Sequence, residues 1–201
     1  MGIDLSLAVE AAQDNFARDP DVLIVQGDLL KPPFRDQVFD GGFTIGVLHH
    51  LPAPLEGLKA LVRSIRPMGW VASRLYPKGG FYDSVAVARM RQIHNRLKPL
   101  FGHGPALAYT YLSALLLVPL TGRAGRSPAL RRLLDHPERN WLVCLHLPDV
   151  RWRLLDTFDA ITPAIASTHT GHEVRTWMSK SGCASLRTTG WCETSVVGVK
   201  Q

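Results

Sequence analysis

Short apolar runs alternate with amphipathic stretches over the first third of the chain. The segment "GIDLS" closes a very short run at Asp4, and Ser6 is placed to cap a helix over residues 7–17. "DVLIVQGD" is a second run, β-branched and ending at Gly27-Asp28, and "FDGGFTIGVLHH" is a third, ending at Gly46. A loop from Val47 to Pro52 leads into "PLEGLKALVRSI", where Leu55, Leu58, Leu61, Val62 and Ile65 share one helical face and Pro54 suits the first turn. "GWVASRLYP" reads as one more run. Apolar runs joined by amphipathic helices predict parallel strands with crossover connections, in a doubly wound α/β sheet covered by helices.

In such sheets ligands bind beyond the carboxyl ends of the strands, which directs attention to Asp4, Asp28 and residues 46–50. An aspartate at a strand end can accept hydrogen bonds from ribose hydroxyls, a charge-assisted contact worth roughly 1.5–3 kcal/mol. Taken alone, Asp4 reads more readily as a helix-capping or solvated residue, and the pair with Asp28 is what strengthens the binding reading. Asp28, at the end of the next run, can take up an exocyclic amine while Leu29 and Leu30 pack on a base.

The segments "GIDLS" and "VQGDLLKPPFRDQVFDGGFTIGVLHHLPAPLEGLKALVRSIRPMGW" resemble the second to fifth strands of class I S-adenosylmethionine-dependent methyltransferases, near the ubiquinone and menaquinone group. The resemblance covers residues 1–78 and implies a Rossmann-like sheet with S-adenosylmethionine as cofactor. It places Asp4, with Leu5 beside it, at the ribose, Asp28 and Leu29 around the adenine, and Gly46, Val47 and the following residues at the methionine end. "GVLHH" stands where amino-group methyltransferases of nucleic acids carry "NPPY", which argues against a nucleic-acid acceptor.

The family's first strand and helix, with their glycine-rich turn, have no counterpart before Asp4. The resemblance puts that strand between the run ending at Asp4 and the run ending at Gly46. Its loss would expose backbone groups at roughly 1–3 kcal/mol for each buried unsatisfied one. Met1 is therefore expected to be an internal methionine of a longer protein, with residues 1–78 a partial cofactor-binding core.

After Tyr76-Pro77 the alternation stops, and residues 79–158 read as a helical insertion. In the resembled family this position holds a lid over the acceptor. The net charge of +6 is concentrated here: Arg89, Arg91, Arg96, Lys98, Arg123, Arg126, Arg131 and Arg132 fall within residues 85–132, which contain no acidic residue. The stretch "ALAYTYLSALLLVPL" is shorter than the roughly 20 residues needed to span a bilayer. Two readings stay open for it: a helix buried against the rest of the protein, or an interfacial helix in a segment suited to peripheral contact with an anionic membrane. Residues 159–201 return to an α/β pattern. Thr170 and Glu173 form a capping box, Gly182 is a stop signal, and "CASLRTTGWCETSVVGVK" gives an antiparallel pair of strands around Gly190.

Cys144, Cys183 and Cys192 show no paired metal-ligand spacing, and a reducing, cytoplasmic location is expected, at a membrane surface if the interfacial reading holds. Methyl transfer from a sulfonium is an in-line displacement in which the protein aligns acceptor and donor; it calls for no metal. If the acceptor must lose a proton, His49 and His50 are the candidate bases, with loop packing the competing role for each. Tyr76 and His169 are weaker candidates for contact with a small-molecule acceptor. His94, His103, His136, His146 and His172 are assigned surface or structural roles. The expected function is methylation of a small, lipophilic acceptor; the alternative is a non-catalytic remnant serving as a binding or peripheral membrane module.

Overall fold

The computed structural model describes residues 1–117 and 149–201. In chain order its elements are β1 (Gly2–Asp4), α1 (Ala8–Asn15), β2 (Ile24–Gln26), β3 (Phe39–Ile45), α2 (Pro54–Ser64), β4 (Ile65–Arg74), α3 (Val85–Phe101), α4 (Gly104–Leu112), α5 (Val150–Ile161), α6 (Gly171–Lys180), β5 (Cys183–Thr188) and β6 (Ser195–Lys200). They form two compact units, Met1–Leu75 with His169–Gln201, and Tyr76–Thr168. Pro119, Arg123, Arg126, Arg131, Arg132, His136, Cys144 and His146 lie outside the described residues, as does the end of the apolar stretch.

The first unit is α/β. β1 and β2 pair in parallel as one small sheet, and a second sheet has the order β3-β4-β6-β5. β3 and β4 run parallel, whereas β6 is antiparallel to both of its neighbours. Period-two burial sorts the side chains of β4: Val71 and Ser73 are buried, while Trp70 remains 46% exposed. The buried face meets Leu58 and Val62 of α2 and Val174 and Met178 of α6, and with Leu48, Ile65, Leu75, Cys183 and Val196 these make one core cluster. On the other face Phe43 stacks with Trp70 at 6.5 Å and is 65% exposed.

Local chemistry explains the boundaries. α2 starts with Pro54 in its first turn and passes into β4 without an intervening loop. The sequence starts that apolar run at Gly69, but β4 begins at Ile65: Phe39 pairs with Ile65 and Gly41 with Trp70, so residues 66–69 bulge from the ladder. α1 is shorter than the predicted helix at both ends. At α6 the Thr170 hydroxyl accepts from the Glu173 amide at 3.2 Å, and Gly182 takes φ +88° just past the helix end, as a helix stop requires.

The second unit is helical. Ser84 caps α3 by accepting from Val87 N, and Asp149 caps α5 by accepting from Arg151 N and Trp152 N. Val87, Ala106, Ala160 and Ile161 form its core. Arg91 donates twice to the Ala160 carbonyl, at 2.8 and 3.2 Å, satisfying an acceptor near the carboxyl end of α5. His94 is buried here, and burial pushes its imidazole below the usual range, with His103 and Lys98 adding repulsion.

Two stability outcomes follow. Leu58 has no exposure, so Leu58→Ala is expected to cost about 2–5 kcal/mol in urea unfolding. The depressed His94 pKa means that the unfolded chain takes up its proton first. Its contribution to stability is intact above the ordinary histidine pKa of about 6.5 and declines as pH falls toward the folded value. The thermal midpoint should therefore fall between pH 7.5 and 5, and His94→Leu should flatten that slope.

Candidate functional site

The β1–β2 pairing gathers the first two site residues. Asp4 pairs with Gln26, and the Gly27 amide donates to the Asp4 carbonyl at 2.9 Å, so Asp28 follows directly beside the end of β1. The two carboxylates are held in the same manner. Asp4 Oδ1 accepts from both the amide and the hydroxyl of Ser6, each at 2.7 Å, and the Ser6 hydroxyl in turn accepts from Ala8 N at 3.2 Å. Asp28 Oδ1 accepts from Leu30 N at 2.8 Å. Each is a local turn in which one oxygen fixes the side chain and the second lies outside the turn. At Asp4 the turn uses Oδ1, and Oδ2 lies outside it.

The β3–β4 pairing positions the next group. The Gly46 amide donates to the Arg74 carbonyl at 3.1 Å, and Gly46 has φ +75° with no atom within 4 Å of where a Cβ would project. The backbone conformation demands glycine, and the space beside it is open. The chain then enters a short 3-10 turn over Leu48–His50. Leu48 and His49 are buried, and the His49 ring lies 4.2 Å from that of His50. His50, only partly buried, is the member of the pair with solvent access. Leu29 and Val47 both line a cleft of about 430 Å³ that also includes Gly2, Ile3, Gly42 and Phe43. Asp4, Leu5, Asp28 and Gly46 are not among its walls, and Leu5 is 67% exposed.

The two residues assigned to the acceptor fall in different units. Tyr76 belongs to the helical one, where its hydroxyl donates to Asp159 at 3.1 Å and its ring stacks on Tyr82 at 4.0 Å. Burial, reinforced by Asp159, pushes its phenol well above the usual range, so Tyr76 stays protonated and serves as a donor, not a base. His169 belongs to the α/β unit and is buried, with Nδ1 3.2 Å from Glu173 and its ring against Trp177.

Sequence reasoning missed Arg74. It ends β4, next to Gly46 across the ladder, with its guanidinium 5.2 Å from the Trp191 ring centroid. A charged residue closing an apolar run is the signal that singled out Asp4 and Asp28, and it applied to Arg74 equally. Thr194 was also missed: its buried hydroxyl donates to the Leu75 carbonyl at 2.6 Å and ties the approach to β6 to the end of β4. Among the described residues, no three His, Cys, Asp or Glu side chains gather as a metal site requires.

The residues present fit S-adenosylmethionine in donor type. Two strand-end carboxylates each offer an oxygen to hydroxyl or amine donors, and an open glycine turn follows the next strand. Gly46→Ala places a Cβ at positive φ and is expected to cost about 1–2 kcal/mol of stability by urea unfolding; no measurable cost would show that the turn relaxes.

Residues 1–73 match the methyltransferase domain family. A demethylmenaquinone methyltransferase from Desulfitobacterium hafniense (strain Y51) is 34% identical over 121 residues, 55% of this chain and 46% of the relative, so the chain spans less than half the relative's length. Among solved structures, an S-adenosylmethionine-dependent methyltransferase from Thermotoga maritima aligns at TM-score 0.49 and 14% identity over 100% of this chain and 73% of its own. The CMeT domain of the citrinin polyketide synthase aligns at TM-score 0.46 and 11% identity, over 98% of this chain and 38% of the other. Over residues 1–73, with their strand-end aspartates and glycine turn, the chain is similar to the methyltransferase domain family.

Proposed function

We propose that the chain binds S-adenosylmethionine on its α/β unit and transfers the methyl group in line to a small, apolar acceptor. The observation that carries this reading is the pair of aspartates at the ends of β1 and β2, each fixed through one oxygen by a local turn. Asp4 Oδ2 would accept from a ribose hydroxyl and Asp28 Oδ2 from the adenine amine, with Leu29 against the base. Gly46 and Val47 leave room for the methionine end. When bound, the cofactor supplies a methyl group already activated on a sulfonium, so the chain's own work is alignment and the exclusion of water. His50, with its access to solvent, would hold the proton of an acceptor hydroxyl or acidic carbon. The apolar acceptor is supported by the name of the Desulfitobacterium relative, a demethylmenaquinone methyltransferase.

A second reading is binding without turnover. One observation favours it: the strands divide into two sheets, β1-β2 and β3-β4-β6-β5, and the residues assigned to the cofactor are split between them.

Calorimetric titration of S-adenosylmethionine tests both. The Asp4→Asn variant keeps an oxygen for the Ser6 turn and loses the charge. It should weaken binding about 10- to 100-fold while leaving the thermal midpoint within a degree or two. Equal affinity in wild type and variant would remove Asp4 from the site. Binding without methyl transfer to any acceptor would favour the second reading.

A further inference from the structure

The helical unit holds a cavity of about 260 Å³ between α3, α4 and α5, walled by Met90, Ile93, His94 and Leu97 on one side and Pro105, Ala106, Tyr109 and Ile161 on the other. The four α3 residues follow the helical repeat, so a single stripe of that helix faces the space. All of the walls are apolar except His94 and the Tyr109 hydroxyl. His94 is only 4% exposed, and neither of its ring nitrogens has a hydrogen-bond partner. A neutral imidazole carries one donor and one acceptor, and leaving such groups buried and unpaired costs roughly 1–3 kcal/mol each. His103 stacks on the ring at 5.1 Å and contributes no hydrogen bond to it. Native proteins keep such groups where something else completes them, and here they adjoin a cavity.

We propose that this cavity is a binding site for a compact apolar molecule carrying one hydroxyl, with His94 as its polar anchor. A hydroxyl suits the imidazole in either sense, donating to the bare nitrogen or accepting from the protonated one. A cavity of about 150 Å³ already takes benzene; the volume here admits a ring with a short alkyl tail. The cavity is open to solvent at its rim, where Ile93 is 51% exposed, so a ligand can enter directly. A single hydroxyl in an otherwise apolar pocket also sets the specificity: the hydrocarbon analogue fills the space but leaves the imidazole unpaired. The inference concerns binding by the helical unit and does not depend on methyl transfer.

The test uses the full chain with 4-propylphenol and propylbenzene as probes, read by ligand-observed NMR and by the side-chain nitrogen signals of histidine. 4-Propylphenol is expected to bind saturably, about tenfold tighter than propylbenzene, and to shift the His94 nitrogens. His94→Leu should bring the phenol's affinity down to that of the hydrocarbon. The comparison of the two probes on the wild-type chain needs no variant, so a folding defect in His94→Leu leaves the test intact. Equal binding of the two probes, unmoved His94 signals, or no saturable binding of either overturns the proposal.

Discussion

The parallel pairing of β3 with β4 is the constraint on which the α/β unit depends. It sets Gly42, Val71, Thr44 and Ser73 toward α2 and α6, and Phe43 and Trp70 away from them, so one register decides which side chains form the core. A shift of one residue would turn Val71 outward and Trp70 inward. The same pairing brings Ile45 to Arg74 and lets the Gly46 amide reach the Arg74 carbonyl, which fixes where the glycine turn begins. α2 contributes by feeding β4 without a loop, so its apolar stripe and the buried face of β4 are set by one continuous segment. Packing and site geometry therefore share a cause.

A second feature of the candidate site is that each strand-end aspartate commits one carboxylate oxygen to structure, and under the proposed function the other oxygen is the one that meets the ligand. Asp4 and Asp28 each spend Oδ1 on a neighbouring amide, which restricts the side chain before any ligand arrives. Preorganisation of this kind lowers the entropy cost of binding. The structure gives Asp4 a turn contact with Ser6, not a helix cap, and that turn uses only Oδ1. In the helical unit the acids are used differently. Asp156 and Asp159 accept from Tyr82 and Tyr76, whose stacked rings leave little freedom to either hydroxyl.

Much of this was legible because the relevant signals are local. The alternation of apolar runs, the Pro54 start of α2, the Thr170–Glu173 cap and the Gly182 stop all appear where period and capping chemistry place them. The start of β4 was not legible, because Arg66, Pro67 and Gly69 look like a loop, and only the pairing of Ile65 with Phe39 draws that segment into a strand. The contrast between His49 and His50 was invisible for a similar reason: adjacent residues in a 3-10 turn point to different sides, and tertiary packing decides which is buried. His94 was assigned a surface or structural role because a lone histidine on a basic helix carries no local sign of burial. Its place in the α3 stripe with Met90, Ile93 and Leu97 was the one pattern that could have flagged it.

Under the proposed function, the ends of β1 and β2 receive the adenosine portion of the cofactor. Photo-crosslinking with S-adenosylmethionine bearing an azido group on the adenine, followed by peptide mapping, tests this directly. Label is expected at Asp28, Leu29 or Leu30, displaced by an excess of unmodified S-adenosylmethionine. Label confined to other segments, or label that the unmodified cofactor fails to displace, would contradict it.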